Sequence, residues 1–239
     1  MYRNGVAWMA DSADKEGHHG AGHRERLRKR LFERRGESLH DHEIVEYLLA
    51  LAIPRRDTKQ IAKDLLAKYG GLSALLTADP ESIIQEKWMG ETSVAALKIV
   101  QVAAIRLLSE PVREQPVLAS WQSLLDYLRA DMAHLTIERV RVLYLNSKNT
   151  LIRDEIASEG SLDQAAIYTR EIIRRSIDLG AAAIILVHNH PSGDSAPSRQ
   201  DINMTREIAE AGKKLGIAVH DHVIVGKDGI SSMRSAGLI

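Results

Sequence analysis

Apolar residues recur at spacings of three and four in LRKRLFERR, EIVEYLLALAI, QIAKDLLAKYG and VAALKIVQVAAIRLL, between His23 and about Ser109. That period puts them on one face of successive α-helices. It is broken at Gly36, Pro54, Gly70, Gly71, Pro80 and Gly90, residue types that end helices or turn the chain. The expectation is an all-α domain over residues 23–109, a bundle of roughly four to six helices. Residues 1–22 are polar with no apolar period and read as a disordered lead.

The period then changes. SEPVREQPVLAS, from Ser109 to Ser120, carries two prolines and mixed charge, so 110–120 reads as a linker. A helix is expected at about Trp121 to Ala133. RVRVLYLN and TLIRDEIAS, separated by Ser147, Lys148 and Asn149, read as two strands of an antiparallel hairpin. Arg170 to Leu179 has helical spacing, whereas AAAIILVH is a continuous apolar run with β-branched residues, as in a strand covered on both faces. Ser198 to Leu215 predicts another helix and IAVHDHVIV another strand. Residues 121–239 therefore form a mixed α/β domain behind the small all-α one.

Composition narrows the functional classes. The chain has 239 residues, 44% of them apolar, enough for two modest cores. It has no cysteine, which excludes a disulfide framework, thiolate zinc sites and the His/Cys zinc site of nucleobase deaminases. Lys and Arg number 32 against 32 Asp and Glu, so no overall field draws the chain to nucleic acid or membrane. No phosphate-binding G-x-x-x-x-G-K-[ST] loop is present. The apolar runs fall short of the roughly 20 residues of a bilayer span, and the N-terminus lacks a secretory apolar core. The expected location is cytoplasmic.

The candidate chemistry lies in LVHNHPSGDSAPSRQD, residues 186–201. Side chains two apart on an extended chain point the same way, so His188 and His190 can converge at the end of their strand. Asp201 falls in the first turn of the next helix, where its carboxylate can face back. Two imidazoles and one carboxylate leave a fourth position for water, the pattern of a catalytic zinc site. Ser198 and Asp201 also fit S-x-x-D, a capping box, and one residue can serve both purposes.

The spacing H-x-H-x7-S-x2-D is that of the JAB/MPN metalloprotease motif, often called JAMM, and HNHPSGDSAPSRQD resembles its form in the RadC family. The resemblance implies a JAB/MPN-like mixed sheet of cytidine-deaminase-like architecture, preceded by a helix-hairpin-helix-like domain. It further implies one Zn2+ held by His188, His190 and Asp201, with Ser198 near the oxyanion. JAMM enzymes also use an upstream glutamate as general base, for which Glu138 is the best match and Glu155 and Glu159 are competitors. Such a protein hydrolyses a peptide or isopeptide bond. Arg170 and Glu171 resemble a pair that family members carry at a helix start, and a salt-bridged helix end explains them equally well.

A second H-x-H, His220-Asp221-His222, lies in the late strand without a following carboxylate at helix spacing. Alternation would put both imidazoles on one face, in a surface or supporting role. His18, His19 and His23 read as solvated. The alternative function is DNA binding through the N-terminal domain, with the zinc domain a non-catalytic scaffold. GHRERLRKRLFERRGE carries seven Lys or Arg against three Glu, and IIQEKWMGETSVAALKIV resembles a helix-hairpin-helix element. There Trp88 stands where that element has its first turn glycine, a departure that crowds any phosphate approaching the backbone.

Overall fold

A computed structural model of the chain describes residues 16–33, 36–54, 56–160 and 169–239. It divides into two compact units, one up to Gln101 and one from Val102 onward.

The first unit is helical. It holds α1 (Glu16–Glu33), α2 (Asp41–Ala52), α3 (Lys59–Tyr69), α4 (Leu72–Thr77), α5 (Pro80–Ile84) and the first part of α6 (Glu91–Glu114). The three-and-four spacing of the sequence becomes a core of Val45, Leu49, Ile61, Leu65, Leu75, Ile83, Val94 and Leu97. Residues 16–22, expected to be disordered, continue α1, because a nucleated helix adds a hydrogen bond per residue whether or not the positions are apolar. The remainder of the expected lead, 1–15, lies outside the described residues, as do the side chains of His18 and His19. His23 is not simply solvated: its Nε2 is 2.9 Å from Glu46 Oε1. Part of the basic run is likewise occupied, Arg24 on the carbonyls of Pro54 and Arg56 and Arg30 on Glu43.

At the turn before α6, Trp88 has φ +71°, the left-handed backbone that a glycine adopts without strain. The turn thus holds a glycine-like backbone conformation with an indole added. That indole is half exposed, with the Arg56 guanidinium 3.5 Å from a ring centroid.

α6 also corrects two expectations. Its last turn runs through Pro111 to Glu114, where a linker was expected. Buried Val112 and Val117 belong to the core of the second unit, and their packing holds the proline-bearing stretch in place. It is also, among the described residues, the one helix long and apolar enough by length and composition to cross a membrane.

The second unit is a five-stranded sheet, order β2-β1-β3-β4-β5, between helices. Its strands are β1 (Arg139–Leu145), β2 (Leu151–Glu159), β3 (Ala183–Asn189), β4 (Ala218–Val225) and β5 (Ile230–Ser232). β1 and β2 form the antiparallel hairpin, β1 and β3 are antiparallel, and β3 and β4 are parallel through a crossover. Helix α7 (Trp121–Met132) covers one face, packing Leu124, Leu128 and Met132 on Leu143, Leu145, Ile185, Val187 and Val223. Helices α8 (Thr169–Asp178) and α9 (Arg199–Lys213) cover the other, where Ile172, Ile173 and Ile208 meet Val142, Ile184 and Leu186. β3 is buried at every position, as its unbroken apolar run requires.

Candidate metal centre

Alternation along β3 sends Ile185 and Val187 to the α7 face, and Ile184, Leu186 and therefore His188 to the α8–α9 face. In β1, Val142 shares that second face, and Val140 pairs with His188. Two residues earlier, Glu138 has the same parity and meets His188 at the strand ends. His190 lies just beyond β3, its N–H on Val225 O. The chain then turns through Gly193, at φ +94°, so close to Gly226 that a Cβ there would meet Gly193 O at 2.2 Å. This contact allows no side chain and fixes the turn that leads to α9.

α9 begins with the capping box that the sequence predicts: Ser198 Oγ accepts from Asp201 N at 3.1 Å, and Asp201 Oδ2 accepts from Ser198 N at 2.7 Å. The same carboxylate faces the histidines, Oδ1 at 3.4 Å from His188 Nε2 and Oδ2 at 3.7 Å from His190 Nε2. Capping and site geometry are compatible because the box orients the carboxylate. Ser198 itself is exposed and joins the cluster through Asp201.

Glu138 Oε1 is 3.9 Å from His188 Nε2, and the two Nε2 atoms are 2.8 Å apart. One atom each from Glu138, His188 and His190 lies within 4.8 Å of the others, a group that could hold a metal ion. The donor set fits one. Ligand atoms around a tetrahedral zinc, at bonds of about 2.0–2.1 Å, lie roughly 3.3 Å from each other. Glu138 Oε1 is buried without a hydrogen-bond partner, a costly state for a carboxylate oxygen unless a proton or cation meets it. Burial raises the Glu138 pKa and the nearby Asp201 adds to it, while His190 opposes the shift. Burial and the neighbouring His190 bring His188 down to about 4 against the pull of Asp201, so its ring stays neutral and ready to ligate.

The competing glutamates are occupied elsewhere. Glu155 pairs with Arg175 at 2.8 Å and Glu159 with Arg139 at 3.1 Å, both on β2. Arg170 is exposed and pairs with its neighbour Glu171, an ordinary helix-end contact.

Three further residues support the cluster. Asn189 Oδ1 accepts from Arg139 N at 2.8 Å and its Nδ2 donates to Ile137 O at 3.2 Å, so it holds the backbone on both sides of Glu138. His222 Nε2 is 2.8 Å from His188 Nδ1, and Thr205 Oγ is 2.6 Å from His222 Nδ1. A signal for Thr205 existed: it lies four residues after Asp201 on the same helix face. The second H-x-H does not share one face as expected. Ile184 pairs with Val219 and Ile185 with Asp221, so His220 is the extra residue of a β-bulge. The bulge reverses the alternation: His222 turns to the metal cluster and His220 to Asn149 Oδ1, 2.7 Å away.

A family model described as the RadC-like JAB domain matches residues 118–238, the sheet, its helices and every residue of this cluster. The chain belongs to the RadC family, its JAB domain carried by the second unit.

Proposed function

We propose that the chain is a zinc-dependent metallopeptidase of JAMM type that hydrolyses a peptide or isopeptide bond in a protein substrate. The observation that carries this reading is the convergence of Glu138, His188, His190 and Asp201 at the ends of β1, β3 and the start of α9. In it, His188 Nε2, His190 Nε2 and the Asp201 carboxylate hold the zinc. When bound, zinc supplies Lewis acidity to the scissile carbonyl and acidifies water to near neutral pKa. Glu138 Oε1, buried and unpartnered, takes the proton of the attacking water and passes it to the leaving amide nitrogen. A raised pKa suits that base, since it makes the carboxylate a stronger acceptor for the water's proton. The Ser198 Oγ is an acceptor in the cap, which leaves its O–H to steady the oxyanion.

The test uses the full chain loaded with zinc and a library of peptide and isopeptide substrates. Cleavage is expected, and Glu138→Gln should lower its rate by roughly 10²–10⁴-fold while zinc stays bound. Elemental analysis should find about one zinc per chain, and His188→Ala should remove it. Full activity in Glu138→Gln would overturn the base assignment.

The second reading is a DNA-binding protein whose zinc domain is a scaffold. The exposed side chains of Arg26, Arg28 and Lys29 on α1 support it. Under this reading no substrate is cleaved, and duplex binding falls steeply with salt as phosphate contacts are screened.

A further inference from the structure

The hydrogen bonds behind His188 determine where its ring proton sits. Thr205 Oγ lies 2.6 Å from Asp201 O and 2.6 Å from His222 Nδ1. Two oxygens that close need a proton between them, and a peptide carbonyl has none, so the Thr205 hydroxyl donates to Asp201. Its single proton is then committed. The contact with His222 must run the other way, with Nδ1–H donating to Oγ. A neutral imidazole carries one ring proton, which leaves His222 Nε2 a bare acceptor. That atom is 2.8 Å from His188 Nδ1, again a separation that requires a proton, and only His188 can supply it.

His188 is therefore the Nδ1–H tautomer, and its Nε2 presents a lone pair to Glu138, His190 and Asp201. His190 reaches the same state more directly, with Nδ1–H donating to Asp194 O at 2.7 Å. Two Nε2 lone pairs thus face each other at 2.8 Å, an arrangement that a cation relieves. The relay is fully enclosed: Thr205 and His222 have no exposed surface and His188 almost none.

We propose that Thr205 and His222 are positioning residues for a divalent metal ion, locking His188 into the tautomer whose Nε2 is free to ligate. A ligating histidine usually has a carboxylate, carbonyl or water behind it. Here the acceptor is a second neutral imidazole, itself oriented by a helix hydroxyl. The device fixes direction without adding negative charge to the site. It rests on His188 being a ligand, as proposed above.

The test uses the full chain and two readouts independent of hydrolysis. In the metal-free wild type, long-range 1H–15N spectra of the imidazoles should show both His188 and His222 protonated on Nδ1. A His188 ring protonated on Nε2 would overturn the relay, and this measurement needs no variant. Zinc affinity, by competition with a chelator, should fall roughly 10–100-fold in Thr205→Val, which removes the hydroxyl but keeps the shape. Thr205→Ser, which restores the hydroxyl, should bind as the wild type does. Two failures are distinguishable. Unchanged affinity in Thr205→Val, where His188→Ala does weaken binding, sinks the relay alone. Unchanged affinity in His188→Ala sinks the ligand assignment, and the relay as a metal-site device with it.

Discussion

His188-Asn189-His190 and His220-Asp221-His222 have the same spacing and lie on adjacent parallel strands, yet they end in different surroundings. The first runs off the end of β3, where both imidazoles converge on Asp201 and Glu138. The second lies inside β4 and is split by a bulge, so that one ring is enclosed behind His188 while the other bonds a turn residue. The middle residues reveal a parallel use. Asn189 ties β3 to the backbone around Glu138, and Asp221 ties β4 to Arg234 N at 2.9 Å. A pair of histidines joins a group that could hold a metal only where strand end, turn and helix start bring a carboxylate to it; pattern alone does not decide.

The largest effect should appear in pH dependence, through the one ring of each triplet that is fully enclosed. His188 is held down to about 4 and the enclosed His222 well below the ordinary value near 6.5, both chiefly by burial. For each ring the unfolded chain binds more protons than the folded one below about pH 6.5, so stability falls as pH falls through that window. The loss is about 1.4 kcal/mol per pH unit for a fully differential ring, or roughly 2 kcal/mol for His188 between pH 6.5 and 5, and His222 acts in the same direction. Urea denaturation of the metal-free chain at pH 7 and pH 5 measures it. Equal midpoints would mean that the two rings titrate as they do in water, and the distinction from an ordinary surface pair would collapse.

Asn189→Ala should come next, because it touches the middle of the first triplet and spares both rings. Arg139 N and Ile137 O lose their partner, and the unpaired groups should cost about 1–3 kcal/mol. Since Glu138 sits between those two peptides, its carboxylate is freed from its place beside the histidines. On the proposed function, zinc affinity should change far less than hydrolysis does, which separates displacement of Glu138 from loss of the proposed ligands. An equal fall in both would show that Asn189 supports the site as a whole and not Glu138 in particular.

Much of this was legible in the sequence, and the reasons for success and failure are physical. The apolar run before His188 identified a buried strand, two-residue spacing predicted convergence of His188 and His190, and S-x-x-D predicted the start of α9. Each of those rules is local. Glu138 was nameable only by resemblance, because its meeting with His188 depends on a β1–β3 pairing across fifty residues. The bulge at His220 was invisible, since no glycine or proline marks it, and the expectation of one shared face followed from unbroken alternation. Pro111 misled in the other direction: the core contacts of Val112 keep the helix going where the proline read as a stop.

The smallest effect, and the cleanest control, is expected at His220. Its ring is half-buried, with Nε2 2.7 Å from Asn149 Oδ1. His220→Ala removes that hydrogen bond and leaves the bulge backbone in place, so it should cost no more than about 1 kcal/mol. Zinc affinity should be unchanged, because neither His188 nor His222 touches the altered ring. The same substitution at His222 empties an enclosed position and deprives His188 Nδ1 of its acceptor, so the two alanine variants differ even though an unbulged strand would make them equivalent. Chelator competition and thermal melts on both variants are sufficient to compare them. A tenfold loss of zinc affinity in His220→Ala would place that ring on the metal side of the sheet, contradicting the register that splits Val219 from Asp221.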